Sequence, residues 1–194
     1  MKILDKIVTI CNDNLVTTVL NESAFQNSAI YGLSYQTVPR DESPLRPYTW
    51  IGDNTTGIEI DDTVNFSIYH RCQNINFVEV SNSFGDGNGM MGMVCDMYAV
   101  VYADRYKTGY TQEDIIMKIS AGMNRTFSRT ELGTSGLLKV KTSVRRANNN
   151  SVQVFEGEYG NGVNCPLHLN SVYFGVQYQL EITASSSCLN CSDC

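Results

Sequence analysis

The 194-residue sequence is short of charge: only 18% of its residues are Asp, Glu, Lys or Arg, and 14 Lys and Arg stand against 20 Asp and Glu. The formal charge of −6 argues against tight or sequence-specific nucleic-acid binding, which needs clustered Lys and Arg for the phosphates. It leaves room for DNA passing nearby, because an acidic wall repels the polymer and keeps it mobile. A surface this poor in charge has to be made from Asn, Ser, Thr, Gln and Tyr. Hydrophobic residues still make up 42% of the chain, enough for a sizeable core and too many for bulk disorder.

Histidine is scarcer still. His70 and His168 are the only two, and His70 falls in phase with an apolar strand face, where a hydrogen-bonded structural histidine is the ordinary case. No GxSxG, HExxH or paired acid and base spacing occurs, so the sequence suggests no reaction and the expectation is a non-enzyme. No apolar run approaches the ~20 residues that span a bilayer. The start, MKILDKIVTICNDN, is interrupted by Asp5 and Lys6 and is followed by no small-residue cleavage site, so a soluble protein without a membrane partner is expected. With no repeat and no linker, residues 1–184 read as a single domain and 185–194 as a cysteine-rich tail.

The seven cysteines are odd in number and scattered from Cys11 to Cys194, which is not a secreted disulfide framework and points to a reducing compartment. The tail CLNCSDC puts Cys188, Cys191 and Cys194 at CxxCxxC spacing. Three thiolates could wrap a zinc ion, but a closed site wants a fourth ligand, from Cys165 or a neighbouring subunit. The competing reading is a loose terminus. Gly87, Gly89 and Gly92 spell GxGxxG, but they lead into a strand rather than a helix, so a glycine-rich loop is the better reading than a dinucleotide site.

What the sequence does have is one strong strand–turn–helix signal over Met93–Met123. Met93, Cys95, Met97, Ala99, Val101 and Ala103 alternate with a mixed face that carries Tyr98 and Tyr102, so one face should meet a core and the tyrosine face should look elsewhere. Thr111 and Asp114 read as a capping box, with Tyr110 as a hydrophobic staple onto Ile115. The helical stripe is Ile115, Ile116, Ile119, Met123 and Phe127. A further helix is expected over 2–21 from Leu4, Ile7, Val8, Cys11 and Leu15.

Strands are expected over 30–38, 48–52, 63–72, 137–145 and 172–183, and a hairpin strand over 152–159 after the Asn148–Asn150 turn. Pro39, Pro44 and Pro47 force a loop. Residues 53–61 read as a polar arm, and 73–92, with four glycines in SNSFGDGNGMMG, as a flexible excursion. The tyrosines Tyr69, Tyr98, Tyr102 and Tyr173 form a stripe suited either to an interface or to cover by another part of the same chain. The class that results is α+β, a mostly antiparallel sheet with two helices on its Met93, Cys95, Met97 face.

The order of these elements, with PYTWIG (Pro47, Tyr48, Ile51, Gly52), MYAVVYADR, QEDIIMKISAGM, LLKVKTSV and VYFGVQYQLEIT, resembles the tail terminator and tail completion proteins of tailed bacteriophages. The likeness runs from residue 2 to about 184. The low-lysine, Asn-rich composition is similar to that of crAss-like podoviruses, whose short tails contain stacked rings. The resemblance implies a structural virion protein, assembled in the host cytoplasm. It would be a subunit of a homo-oligomeric ring at the head-to-tail connector, stacked between portal-side and tail-side proteins around the DNA channel. The alternative is a non-viral adaptor that holds a protein partner with its glycine- and proline-rich loops. Contact residues are expected at Tyr48, Trp50, Asp53, Thr55, Thr56 and Ile58, at Phe84, Met90 and Met91, and on the aromatic face at Tyr98 and Tyr102.

Overall fold

A computed structural model describes residues 2–19, 25–37, 46–51, 54–59, 61, 63–80, 90–132, 137–160 and 171–185. The fold is α+β, with an eight-stranded sheet in the order β3-β2-β1-β4-β5-β8-β7-β6. Its strands are β1 Ser28–Thr37, β2 Arg46–Ile51, β3 Asn54–Gly57, β4 Phe66–Val80, β5 Met90–Asp104, β6 Arg125–Phe127, β7 Leu137–Asn148 and β8 Ser171–Ser185, and its α-helices are α1 Lys2–Asn14, α2 Arg105–Thr108, α3 Gln112–Met123, α4 Arg129–Leu132 and α5 Ser151–Tyr159. Only β1 and β4 run parallel; every other described pairing is antiparallel.

β5 lies at the centre. It pairs with β8 along its whole length, from Met90↔Ser185 to Asp104↔Ser171, and with β4 from Phe66↔Ala103 to Val80↔Met90. Alternation does the rest: Cys95, Met97, Ala99, Val101 and Ala103 enter one core, while Tyr98, Val100 and Tyr102 enter another on the opposite face.

The first core is closed by two helices. In α1 (Lys2–Asn14) the side chains of Leu4, Ile7, Val8 and Cys11, followed by Leu15, are all 0–1% exposed, the single stripe that 3.6-residue periodicity demands. A π-helical turn, Leu15–Val19, follows. There Thr17 Oγ1 donates to the Asp13 carbonyl at 2.8 Å, a side-chain bond of the kind that perturbs helices from within.

The second helix of this face, α3 (Gln112–Met123), carries the expected capping box of Thr111 and Asp114 and buries Ile115, Ile119 and Met123. Tyr110 stacks on Phe25, with centroids 5.5 Å apart, and Lys118 lies 4.8 Å over the Tyr110 ring. The helix stops at Met123, short of the expected Phe127. Asn124 leaves helical geometry and its Oδ1 accepts the Val144 amide at 2.7 Å, and Arg125–Phe127 pair with β7 instead. Phe127 is still buried in the same core, but from an edge strand.

Two sequence expectations are corrected on the other face. Residues 152–159 are not a hairpin strand but helix α5 (Ser151–Tyr159), capped by Asn150, whose side chain accepts the Gln153 amide. Val154, Phe155, Glu158 and Tyr159 are buried, and that spacing belongs to a helix, not a strand. The helices are therefore not confined to one face of the sheet, because α5 covers the tyrosine side. Residues 73–80 and 90–92 are also not a loose excursion: they extend β4 and β5 as a regular ladder.

Candidate interaction surface

The tyrosine stripe is an interior surface. Tyr98, Tyr102 and Ile58 are 7%, 3% and 1% exposed, packed with Tyr69, Tyr173, Val154, Phe155 and Tyr159 in the core beneath α5. Phe155 stacks on Tyr159 and meets Tyr173 edge-on, both with centroids 5.0 Å apart. Tyr98 lies across Gly175, where any Cβ would collide with its ring and hydroxyl. These three residues are thus corrected as contact candidates: a helix of the same chain already occupies the face they form.

An ion pair ties that helix down. Glu158 is buried, with one carboxylate oxygen 2.7 Å from Arg71 Nη1 and the other accepting from the Tyr69 hydroxyl at 3.0 Å. Arg71 also lies 5.5 Å over the Tyr98 ring. Burial pushes the Glu158 carboxyl above its ordinary range, opposed by Arg71 and the Tyr69 bond, and burial beside Glu158 drives the Tyr69 phenol well above its own. These partners satisfy the charge where it lies, which a buried carboxylate requires.

The first core has a polar knot of its own at His70, which is 0% exposed. Its Nε2 sits 2.8 Å from Asn12 Oδ1 and its Nδ1 2.9 Å from the Tyr178 hydroxyl, while Asn12 Nδ2 donates to the Tyr31 carbonyl at 2.8 Å. An amide oxygen can only accept, so Nε2 carries the proton and Tyr178 donates to Nδ1. The ring is neutral, its pKa lowered to about 3 by burial. Asn12 belongs to α1, so this network pins the first helix to β4 and β8. Sequence reasoning placed His70 on a core face but had no means to find partners 58 and 108 residues away.

What remains open is an edge. β1 parts from β4 after Ser34↔Arg71, and a β-bulge follows between Cys72 and Asn74. Residues 73–78 are all exposed, including Ile75 at 37%, Phe77 at 65% and Val78 at 49%. Among the described residues no strand pairs with β4 there. Among the described residues this edge is uncovered and carries apolar side chains on both faces; the bulge and the charge of Glu79 guard it against pairing, with no Lys or Pro between Gln73 and Val80. A shallow groove of about 420 Å³ lies between Arg105 and Glu113, lined by Tyr106, Tyr110 and Thr111.

The remaining candidates divide. Tyr48 is half-buried on β2 and Thr56 exposed on β3, and these strands form a hairpin rather than a free arm, with Ile58 N donating to the Pro47 carbonyl at 2.8 Å. Trp50, Thr55, Met90 and Met91 have their backbones in β2, β3 and β5, and their side chains lie outside the description. Asp53, Phe84, Cys188, Cys191 and Cys194 lie outside the described residues altogether. Among the described residues no three His, Cys, Asp or Glu side chains are grouped to hold a metal, and no helix is long and apolar enough to cross a membrane. No protein-family model and no curated protein matches the chain.

Proposed function

We propose that this chain is a structural, non-enzymatic subunit that assembles with copies of itself into a ring at the head-to-tail connector of a tailed bacteriophage. In this reading it stacks between portal-side and tail-side proteins around the DNA channel and resides in the virion. The observation that carries the reading is the open β4 edge. The chain's own helices cover both faces around the middle of β5, while farther along β4 the apolar side chains of Ile75, Phe77 and Val78 stay exposed for another subunit to bury.

Two further features support it. The buried His70 and Glu158 are engaged in holding helices, and the charge of −6 suits a channel that DNA passes without sticking. The test is electron microscopy of the virion and of the chain co-expressed with its genomic neighbours, compared with a Phe77→Asp, Val78→Asp variant. Rings from the native chain and folded monomers from the variant are expected. A chain never found in particles, whose β4 edge instead holds a different protein, would replace this reading with the adaptor alternative.

A further inference from the structure

Three cysteines, Cys11, Cys72 and Cys95, are free thiols among the described residues, and two of them meet. Cys95 is opposite Ile75 and Cys72 opposite Met97, so they are diagonal neighbours on adjacent strands, on the same face, on either side of the β4 bulge. Cys95 is 0% exposed, whereas Cys72 is only partly buried at the margin of the first core. Both side chains lie on the face of the first core, and the Cys72 thiol donates to the Asn74 carbonyl at 3.7 Å.

We propose that Cys72 and Cys95 form a peroxide-responsive dithiol, in which the reachable Cys72 is the attacking sulfur and the buried Cys95 resolves it. The Cys72 thiolate attacks a peroxide oxygen. The O–O bond breaks, Cys72 becomes a sulfenic acid, and the other oxygen leaves as water or, from an organic peroxide, as the alcohol after taking a proton. Cys95 sulfur then attacks the Cys72 sulfur, the S–O bond breaks, and the Cys95 proton leaves with the hydroxyl as a second water. The two thiols have lost two electrons and the peroxide has gained them.

Three observations support the assignment of roles. Reactive thiols are accessible, have thiolate character and stand next to a resolving cysteine, and here only Cys72 has access. The neighbouring Cys95 thiol holds Cys72 below its ordinary range, whereas Cys72 and burial raise Cys95. The bulge gives the backbone its means of closing: diagonal cross-strand Cα atoms lie about 7–8 Å apart, a little beyond the disulfide range, and an extra residue lets a strand bend and twist locally. The bond would form where β4 leaves β1 and its open edge begins.

The test uses the full chain with Cys188, Cys191 and Cys194 changed to Ser, exposed to hydrogen peroxide, with remaining thiols blocked by alkylation and peptides mapped by mass spectrometry. A Cys72–Cys95 cross-linked peptide, reversed by dithiothreitol, is expected, and Cys72→Ser abolishes it while leaving Cys95 a thiol. Cys95→Ser accumulates sulfenic acid at Cys72, with about tenfold more dimedone adduct than the parent. Should Cys95→Ser fail to fold by circular dichroism, Cys95→Ala takes its place. Cys72 left unmodified while the exposed Met117 is oxidised would overturn the proposal, as would a Cys72 sulfenic acid that persists beside an intact Cys95.

Discussion

The two faces of the sheet solve the same burial problem with different chemistry. Beneath α1 and α3 the core is large and mainly aliphatic, with Phe66 and Phe174 among its members and one neutral histidine satisfied by Asn12 and Tyr178. Beneath α5 it is small and aromatic, and the helix is held by a charged Glu158–Arg71 pair. The short α5 buries Val154, Phe155 and Tyr159, and the hydrogen-bonded ion pair, which tolerates only one register, fixes where it docks.

The comparison can be broken most severely on the aliphatic side. Phe174→Ala should cost about 3–5 kcal/mol and lower the global denaturation midpoint, since Phe174 is fully buried in the first core. On the aromatic side, Glu158→Ala should cost about 3 kcal/mol by stranding Arg71 and Tyr69. Its signature is local: amide exchange in Ser151–Tyr159 should speed up before that in α1. If both substitutions melt the molecule as one unit, the two faces are not separable.

Acid sharpens the contrast, because the two networks titrate in opposite senses. His70 has a folded pKa depressed to about 3, so the unfolded chain binds the proton first, and its contribution is lost as pH falls from about 6.5 toward 3, by about 1.4 kcal/mol per pH unit. Glu158 has a raised folded pKa, so its contribution is greatest below the ordinary carboxyl value and declines as pH rises through the folded one. Urea unfolding from pH 4 to 7 should show a shallower rise for His70→Gln than for the native chain and a steeper one for Glu158→Gln. Equal slopes in all three would sink the assignment.

Smaller effects lie in the fit of one ring and at the edge. Gly175→Ala should cost about 1–3 kcal/mol, because Tyr98 must leave its place across the glycine, and the loss should vanish when Tyr98 is itself shortened to Ala. Phe77→Asp should change monomer stability by no more than about 0.5 kcal/mol, since Phe77 is 65% exposed, yet abolish assembly in native mass spectrometry. Removing residues 186–194 should leave assembly unchanged.

Where the sequence was legible, the information was local. The alternation of β5, the capping box of α3 and the stripe of α1 each stand in a window of a dozen residues, and each is found where it was read. The misreadings share a cause. Val152, Val154 and the Asn148–Asn150 run look like a turn and a strand because β-branched residues favour strands, but the contact of Phe155 and Tyr159 with Tyr173 selects a helix. The glycines up to Gly92 suggested a loop beginning at residue 73, whereas the ladder with β5 carries β4 on to Val80.

The sequence by itself determined which side chains must be buried and on which side of each strand they fall, because side-chain direction follows from the backbone repeat alone. It also determined that this surface would be acidic and thinly charged. Only the tertiary structure decided what covers each face. Whether Tyr98 and Tyr102 meet a partner or the chain's own α5 depends on residues some fifty positions away being brought across the sheet, and no local pattern records that. The partners of His70 and Glu158 were decided the same way: a buried polar group needs a mate within about 3 Å, and only the strand order 1-4-5-8 puts those mates in reach.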